Sequence, residues 1–237
     1  MKEKTKEQRT AAWFEARLGR FTSSEIVNLF VEPRSKKDRE AGIWSDTAKS
    51  YIYKKACETI YGYSEKFIGN DATEWGNTHE YNAKKRYEKV TGNIIDDCGF
   101  FELHKNTGSS PDGLIRLDVN DPEFGVAEIK CPFKMNIHMD NIMILNEQAD
   151  LLKHRKTYYY QIQHQMYCTG ATWGNFISYD PRLESREYFH ENCIHILLIE
   201  KDANLHEQFD EKIQLAVEYR DRIVERFLND QYKGNGE

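Results

Sequence analysis

No stretch of this sequence stays apolar for the roughly 18 residues that a membrane-spanning helix needs, and none is rich enough in Gly, Ser or Pro to serve as a linker. No membrane partner and no internal boundary are expected. Repeats and low-complexity tracts are also missing, and 237 residues suit one domain at the upper end of the usual range, long enough to bury a core. A single domain over residues 1–237 is the expectation.

Cysteine is sparse and dispersed. The five residues, at 57, 98, 131, 168 and 193, contain no close pair and are odd in number, so they support neither a zinc ribbon nor a disulfide framework. Reduced thiols follow. The charged opening MKEKTKEQR does not lead a signal peptide, which points to a cytoplasmic location. Positive charge is in deficit too: a net charge of −6 argues, at face value, against a nucleic-acid partner. Its distribution weakens that objection, because residues 1–56 hold 13 Lys/Arg against 8 Asp/Glu while residues 200–237 hold 6 against 10. The chain begins basic and ends acidic.

What is present suits a folded α/β protein, with 39% hydrophobic, 30% charged and 13% aromatic residues. Helical patterns run over about 5–18, 23–30, 46–61 and 73–90, with Thr22 or Ser23 and Ser45 as caps and Gly19, Gly62 and Gly92 as stops. Strand-like runs follow at 94–103, 112–119 and 125–131, then helices near 136–147 and 154–169. Strands near 173–179 and 193–200 precede a final helix at about 203–229. The predicted architecture is a mixed central sheet flanked by helices, after a helical N-terminal segment.

Within this frame, SSPDGLIRLDVNDPEFGVAEIKCPF at 109–133 carries the chemistry. Asp112 opens one strand, and Glu128 and Lys130 lie on the next, where residues two apart share a face. If a turn at Asn120-Asp121-Pro122 joins the strands, Asp112 approaches Glu128, and two carboxylates converge with one ammonium. Paired carboxylates repel unless a cation separates them, and a hard cation with oxygen ligands, Mg²⁺, is the inference. A Glu-x-Lys pair on a strand is in many proteins a solvated face. Here its neighbours Val126, Ala127, Ile129, Cys131 and Pro132 read as a strand entering the core, where charge needs a reason.

Glu80, in Trp75-Gly76-Asn77-Thr78-His79-Glu80, offers a third carboxylate, although an i to i+4 pair with Lys84 explains it equally well. Gln161, Gln163 and Gln165 follow three tyrosines, and Gln163 and Tyr167 share a helical face that can present neutral donors to a phosphate or simply fill the core. His79, His138 and His164 are read as structural.

The combination resembles the PD-(D/E)XK nucleases, most closely the lambda exonuclease (YqaJ-type viral recombinase) branch. It is carried by Ser110-Pro111-Asp112-Gly113, Glu128-Ile129-Lys130-Cys131-Pro132-Phe133, Trp75-Gly76 ahead of Glu80, and Gln161 with Gln163. Trp13-Phe14-Glu15-Ala16-Arg17-Leu18-Gly19 with Thr22-Ser23-Ser24-Glu25, Pro33-Arg34-Ser35 and Tyr179-Asp180-Pro181-Arg182 extend it over most of the chain. The resemblance implies a restriction-endonuclease-like core. It makes Asp112, Glu128, Glu80 and the Ile129 carbonyl metal ligands for Mg²⁺ or Mn²⁺, Lys130 the catalytic lysine, and Gln161 its companion. It assigns Arg17, Ser24 and Ser110 to a terminal 5′-phosphate, a role that suits a guanidinium fork and hydroxyl donors. It implies 5′ to 3′ digestion of linear double-stranded DNA, a ring-shaped homotrimer with basic segments near the channel and acidic helices outward, and a single-strand annealing partner, in a bacterial host carrying phage or prophage genes. Asp71 and Thr73 depart from the branch, whose loop ahead of the Glu80 position carries a lysine and an apolar wedge. Other readings are a structure-specific or restriction-like endonuclease of the same superfamily and a non-catalytic DNA-binding module; the cysteine cluster of the superfamily's iron–sulfur members is absent.

Overall fold

Side-chain caps start the helices of the first third. Thr10 accepts the Trp13 N–H to open α1 (Ala11–Arg17), Ser35 opens α2 (Lys36–Glu40), Ser45 opens α3 (Asp46–Tyr61) and Asn70 opens α4 (Asp71–Thr91). Gly62 and Gly92, at φ +70° and +76°, end α3 and α4 in the left-handed conformation that glycine adopts without steric cost. The computed structural model describes residues 2–65, 69–118 and 122–233. The expected turn residues Asn120 and Asp121 lie outside them.

Two sheets form. A small one has the order β1 (Lys2–Glu3), β4 (Phe101–His104), β5 (Thr107–Ser109), β2 (Phe21–Thr22). The larger has the order β3 (Ile94–Asp96), β6 (Gly113–Arg116), β7 (Gly125–Lys130), β8 (Trp173–Tyr179), β9 (Ile194–Glu200), with β7 and β8 parallel and the other pairs antiparallel. This is the mixed sheet expected. The run 94–103 is not one strand, since β3 joins the large sheet and β4 the small one. Residues 5–10 are not helical: Lys4 donates to the Phe100 carbonyl and Thr5 Oγ1 accepts the Phe100 N–H, which ties the segment beside β4. Residues Ser23–Phe30 form a 3₁₀ helix. Downstream, α5 (Met135–Ile144) stops short of 147, and a further helix α6 (Gln148–His154) precedes α7 (Lys156–Thr169). The break falls at Arg155, whose φ of −138° and ψ of 48° are not helical. The chain then reaches α8 (Ala203–Lys233).

The large sheet is covered on both faces. Alternation along β7 sends Val126 into a cluster with Ile162 of α7, Phe176 and Phe209, and sends Ala127 and Ile129 into another with Ala83 and Tyr87 of α4. Thus α7 backs one face and α4 the other. Phe176 is fully buried, and truncating such a side chain to alanine costs about 3–5 kcal/mol. The last helix, α8, packs along α3. The basic start and acidic end of the sequence are therefore neighbours in the fold.

Candidate active site

Strand alternation puts Glu128 and Lys130 on the α7 face of β7. Glu128 is 1% exposed, and a carboxylate that deep is costly to bury without partners. It has three. Oε1 pairs with the Lys130 ammonium, while Oε2 accepts from Gln161 Nε2 at 2.8 Å and Gln165 Nε2 at 2.6 Å. One helical turn separates the two glutamines, so α7 grips the carboxylate with both. Lys130 Nζ also lies 5.0 Å from the centroid of the Tyr158 ring.

Asp112 stands just ahead of β6. Its N–H donates to the Ala127 carbonyl at 3.0 Å, next to the Gly113–Ala127 pair of the ladder. Its Oδ2 accepts the Ile129 N–H at 2.6 Å. The expected approach of Asp112 to the Glu128 strand is thus present. Burial, then the charge of Glu128, raises the proton affinity of Asp112 well above the usual carboxylate range, against the pull of Lys130 and the Ile129 amide. For Lys130, burial works to lower the pKa, but Glu128 and Asp112 outweigh it and hold the ammonium charged.

A buried and a half-buried carboxylate at one sheet end, with one ammonium between them, form an oxygen donor set that still carries excess negative charge. The Ile129 carbonyl emerges on the same strand edge as its N–H, toward Asp112. That set fits Mg²⁺, which takes one or two carboxylates and keeps water or substrate oxygens. Among the described residues no three His, Cys, Asp or Glu side chains cluster closely enough to hold a metal ion by themselves.

Glu80 is placed differently. It belongs to α4, on the opposite face of the sheet, and its carboxylate pairs with Arg9 at 2.7 Å and Lys84 at 3.2 Å. The i to i+4 pair with Lys84 is present, and Glu80 also adds negative charge to the field at Asp112. Arg9, at φ +64°, is the one described non-glycine residue with left-handed backbone.

Two residues before Asp112, Ser110 gathers a second group. Trp13 Nε1 donates to Ser110 Oγ at 2.7 Å, and Arg17 reaches Ser110 Oγ and Thr22 Oγ1, each at 3.4 Å. The guanidinium lies 4.3 Å over the Trp13 ring, and burial lowers its pKa. Arg17 and Ser110 are brought together as expected. Ser24 is exposed at the start of the 3₁₀ helix and has no side-chain hydrogen bond among the described residues.

Sequence reasoning named Gln165, Trp13 and Thr22 but gave them no role in the site. The i, i+4 spacing of Gln161 and Gln165 is the signal that identifies the first. Gln163 faces elsewhere, donating to the Glu200 carbonyl and accepting from the Asp202 N–H and His206. Tyr167 bonds Asp210 on α8. Asp71 and Thr73 are not in a loop but in the first turn of α4, where Thr73 bonds the Asn70 cap. Arg182 pairs with Asp180, donates to the carbonyls of Pro132 and Phe133 just beyond Lys130, and lies 4.8 Å over the Trp75 ring.

The fold and the strand that carries Glu128 and Lys130 place the chain among the nucleases. Residues 12–172 match the YqaJ-like viral recombinase domain. The chain belongs to that family. The alkaline exonuclease LHK-Exo of Laribacter hongkongensis is 27% identical, with a TM-score of 0.74 over 94% of this chain and 99% of that one. The same exonuclease in complex with dAMP gives a TM-score of 0.76 at the same identity and coverage. A phage-related exonuclease of Haemophilus somnus 129PT shares the fold at 21% identity, with a TM-score of 0.68 over 88% and 96% of the two chains. No curated protein matches the sequence.

Proposed function

We propose that the protein is a Mg²⁺-dependent exonuclease that digests one strand of linear duplex DNA from its 5′ end and leaves a 3′ single strand for recombination. The observation that carries this reading is the juxtaposition of the Asp112, Glu128 and Lys130 group with the Arg17 and Ser110 group, two residues apart in the chain. A cation centre beside a terminal-phosphate cradle suits cleavage at a strand end rather than within one. The complex of LHK-Exo with dAMP, a mononucleotide, is in keeping with that.

Bound by Asp112, Glu128 and the Ile129 carbonyl, Mg²⁺ or Mn²⁺ would supply charge neutralisation and an acidified water. The chain's own residues do the rest. Gln161 and Gln165 fix the Glu128 carboxylate, and the Ile129 N–H fixes Asp112. Lys130, beside Glu128, orients or deprotonates the attacking water and stabilises negative charge on the phosphoryl group. Arg17 and Ser110 seat the terminal phosphate, with Ser24 at the open edge. Glu80 joins the cation site on release from Arg9.

A chain of net charge −6 gains duplex affinity by assembling cations around DNA, which supports a homotrimeric ring. The setting is the cytoplasm of a bacterium carrying phage or prophage genes, with a single-strand annealing protein as partner. No described helix is long and apolar enough to cross a membrane.

The test is incubation of 5′-phosphorylated linear duplex, its 5′-hydroxyl counterpart and a closed circle with Mg²⁺. Loss of the linear forms, phosphorylated first, is expected, and Asp112→Ala, Glu128→Ala or Lys130→Ala should each remove nearly all of it. Cutting of the circle identifies an endonuclease instead, and DNA binding without turnover in the parent identifies a non-catalytic module. Sedimentation as a monomer that is still processive rejects the ring.

A further inference from the structure

Away from this site, two adjacent hollows of about 720 and 1080 Å³ lie along α8, and Lys49 and Tyr219 line both, so together they make a groove beside α3, α7 and the Ser23–Phe30 helix. Its lining follows α8 from Gln208 to Phe227, about 28 Å of helix. The walls are aromatic: Tyr160, Trp44, Tyr219, Tyr53, Tyr61 and Phe227. Tyr53 and Tyr61 are 58% and 61% exposed.

Cations are interleaved with the rings. Lys156 Nζ lies 5.0 Å from the Tyr160 centroid, Lys212 Nζ 5.2 Å from Trp44, and the Arg222 guanidinium 5.7 Å from Tyr219. None of the three is in an ion pair with a carboxylate among the described residues. With Arg39, Lys49 and Arg226, six cationic side chains line the groove against three carboxylates; Arg39 pairs with Glu32, and Lys49 with Asp46 outside the lining. This is a local positive surplus on a chain whose net charge is −6.

We propose that this groove binds single-stranded DNA. Phosphates answer the cations, and bases answer the rings, each base–aromatic stack adding affinity whatever the sequence. A duplex satisfies only half of that pattern, because its bases are stacked on one another and only the phosphates reach outward. A second copy of the chain fits less well, since protein interface cores are depleted of lysine. The strand held is the one left when its complement is digested; this clause rests on the proposed exonuclease reaction, whereas the binding does not.

The test is fluorescence anisotropy of a labelled thymidine 30-mer with hydrolysis stopped by chelator, on the parent, on Tyr53→Ala/Tyr61→Ala and on Lys156→Ala/Lys212→Ala. About tenfold or greater weakening is expected for the tyrosine pair. The lysine pair should lower the slope of log affinity against log salt by about 0.7 for each phosphate that is no longer neutralised. Turnover of a short blunt duplex should stay at the parent rate, since none of these residues touches the proposed catalytic group. Parental affinity in both variants overturns the proposal. So does a loss of affinity that follows a drop in oligomeric state in sedimentation, which makes the groove a seam between copies. A parent that binds the oligomer but leaves duplex intact sinks the nuclease reading and spares the groove.

Discussion

Glu58 and Arg220 hold opposite sides of one glycine. Glu58 Oε2 accepts the Gly19 N–H at 3.0 Å, and Arg220 Nη1 donates to the Gly19 carbonyl at 2.8 Å. Lys55 pairs with Glu58 at 2.9 Å, both buried, and the other arm of Arg220 donates to Asn106 at 3.0 Å. The turn between Arg17 and Thr22 is thereby fixed from α3 and α8 at once.

Arg17→Ala should abolish most of the preference for 5′-phosphorylated over 5′-hydroxyl ends, because only the former offers a terminal dianion to the guanidinium. Arg220→Ala, which touches neither end, should erode the same ratio by loosening the turn. Initial rates on matched duplexes read both. An Arg220→Ala enzyme that keeps the parental ratio would limit Arg220 to a role in stability.

Gly19→Ala combines two penalties. The backbone sits at φ +67°, about 1–2 kcal/mol unfavourable for an L-residue, and the new Cβ would meet Thr59 Oγ1 at 2.6 Å. A urea midpoint shift worth at least about 1 kcal/mol is expected, and an unshifted midpoint would contradict the geometry.

Both glutamines should matter to turnover. Removing either donor from Glu128 by Gln161→Leu or Gln165→Leu should slow hydrolysis about 10–100-fold, as supporting contacts to a ligating group do elsewhere. Circular dichroism checks the fold, and Gln163→Leu, whose target bonds Glu200, Asp202 and His206, serves as the comparison. Equal kcat for the Gln165→Leu variant and the parent would remove Gln165 from the site.

Divalent cations should stabilise the protein in a pH-dependent way. Asp112 binds its proton more tightly folded than unfolded, so its contribution to stability is complete at low pH and is lost as pH rises through its folded titration. A cation replaces that proton. The gain in Tm from Mg²⁺ should therefore grow with pH and vanish in Asp112→Asn. Ca²⁺ should raise Tm with little turnover, being larger and less demanding of geometry. A Tm indifferent to Mg²⁺, Mn²⁺ and Ca²⁺ alike would falsify the cation site.

Acid should destabilise the fold through His164. Buried between Ser23 Oγ at 2.8 Å and Thr107 Oγ1 at 3.1 Å, it is pushed down to about 3, chiefly by burial, and His206 is pushed down to about 4 in the same way. Depressed histidines favour the folded state fully above about 6.5, and that advantage is lost as pH falls toward their folded values. Urea unfolding should show stability declining below about pH 6.5, with a shallower decline in His164→Asn.

The strand chemistry was legible because period-two alternation settles which side chains sit together, and Asp112, Glu128 and Lys130 needed little more than that. Helix α3 was legible to the residue, since Ser45 and Gly62 mark both ends chemically. The small sheet was not. Its strands β1, β2 and β5 are two or three residues long, below any periodic signal, and exist through partners far away, as Phe21 opposite Thr107 shows. Glu80 was picked out by residue type, but no local pattern reveals how α4 lies against the sheet, or that Arg9 meets it from 71 residues away. The pairing of Gln161 with Gln165 was open to the same helical arithmetic that was spent on Gln163 and Tyr167.

The contact between Arg220 and Gly19 also sets an order of events in synthesis. A ribosome delivers residue 19 long before its clamp, which arrives 201 residues later. Strands β6 and β7 can pair, and Asp112 can find Ile129, while α8 is still unmade. The turn that carries Arg17 toward Ser110 then waits for the helix that closes it, so on the proposed reading a nascent or truncated chain would hold DNA ends loosely. Recognition of an end would then mature only near the completion of the chain.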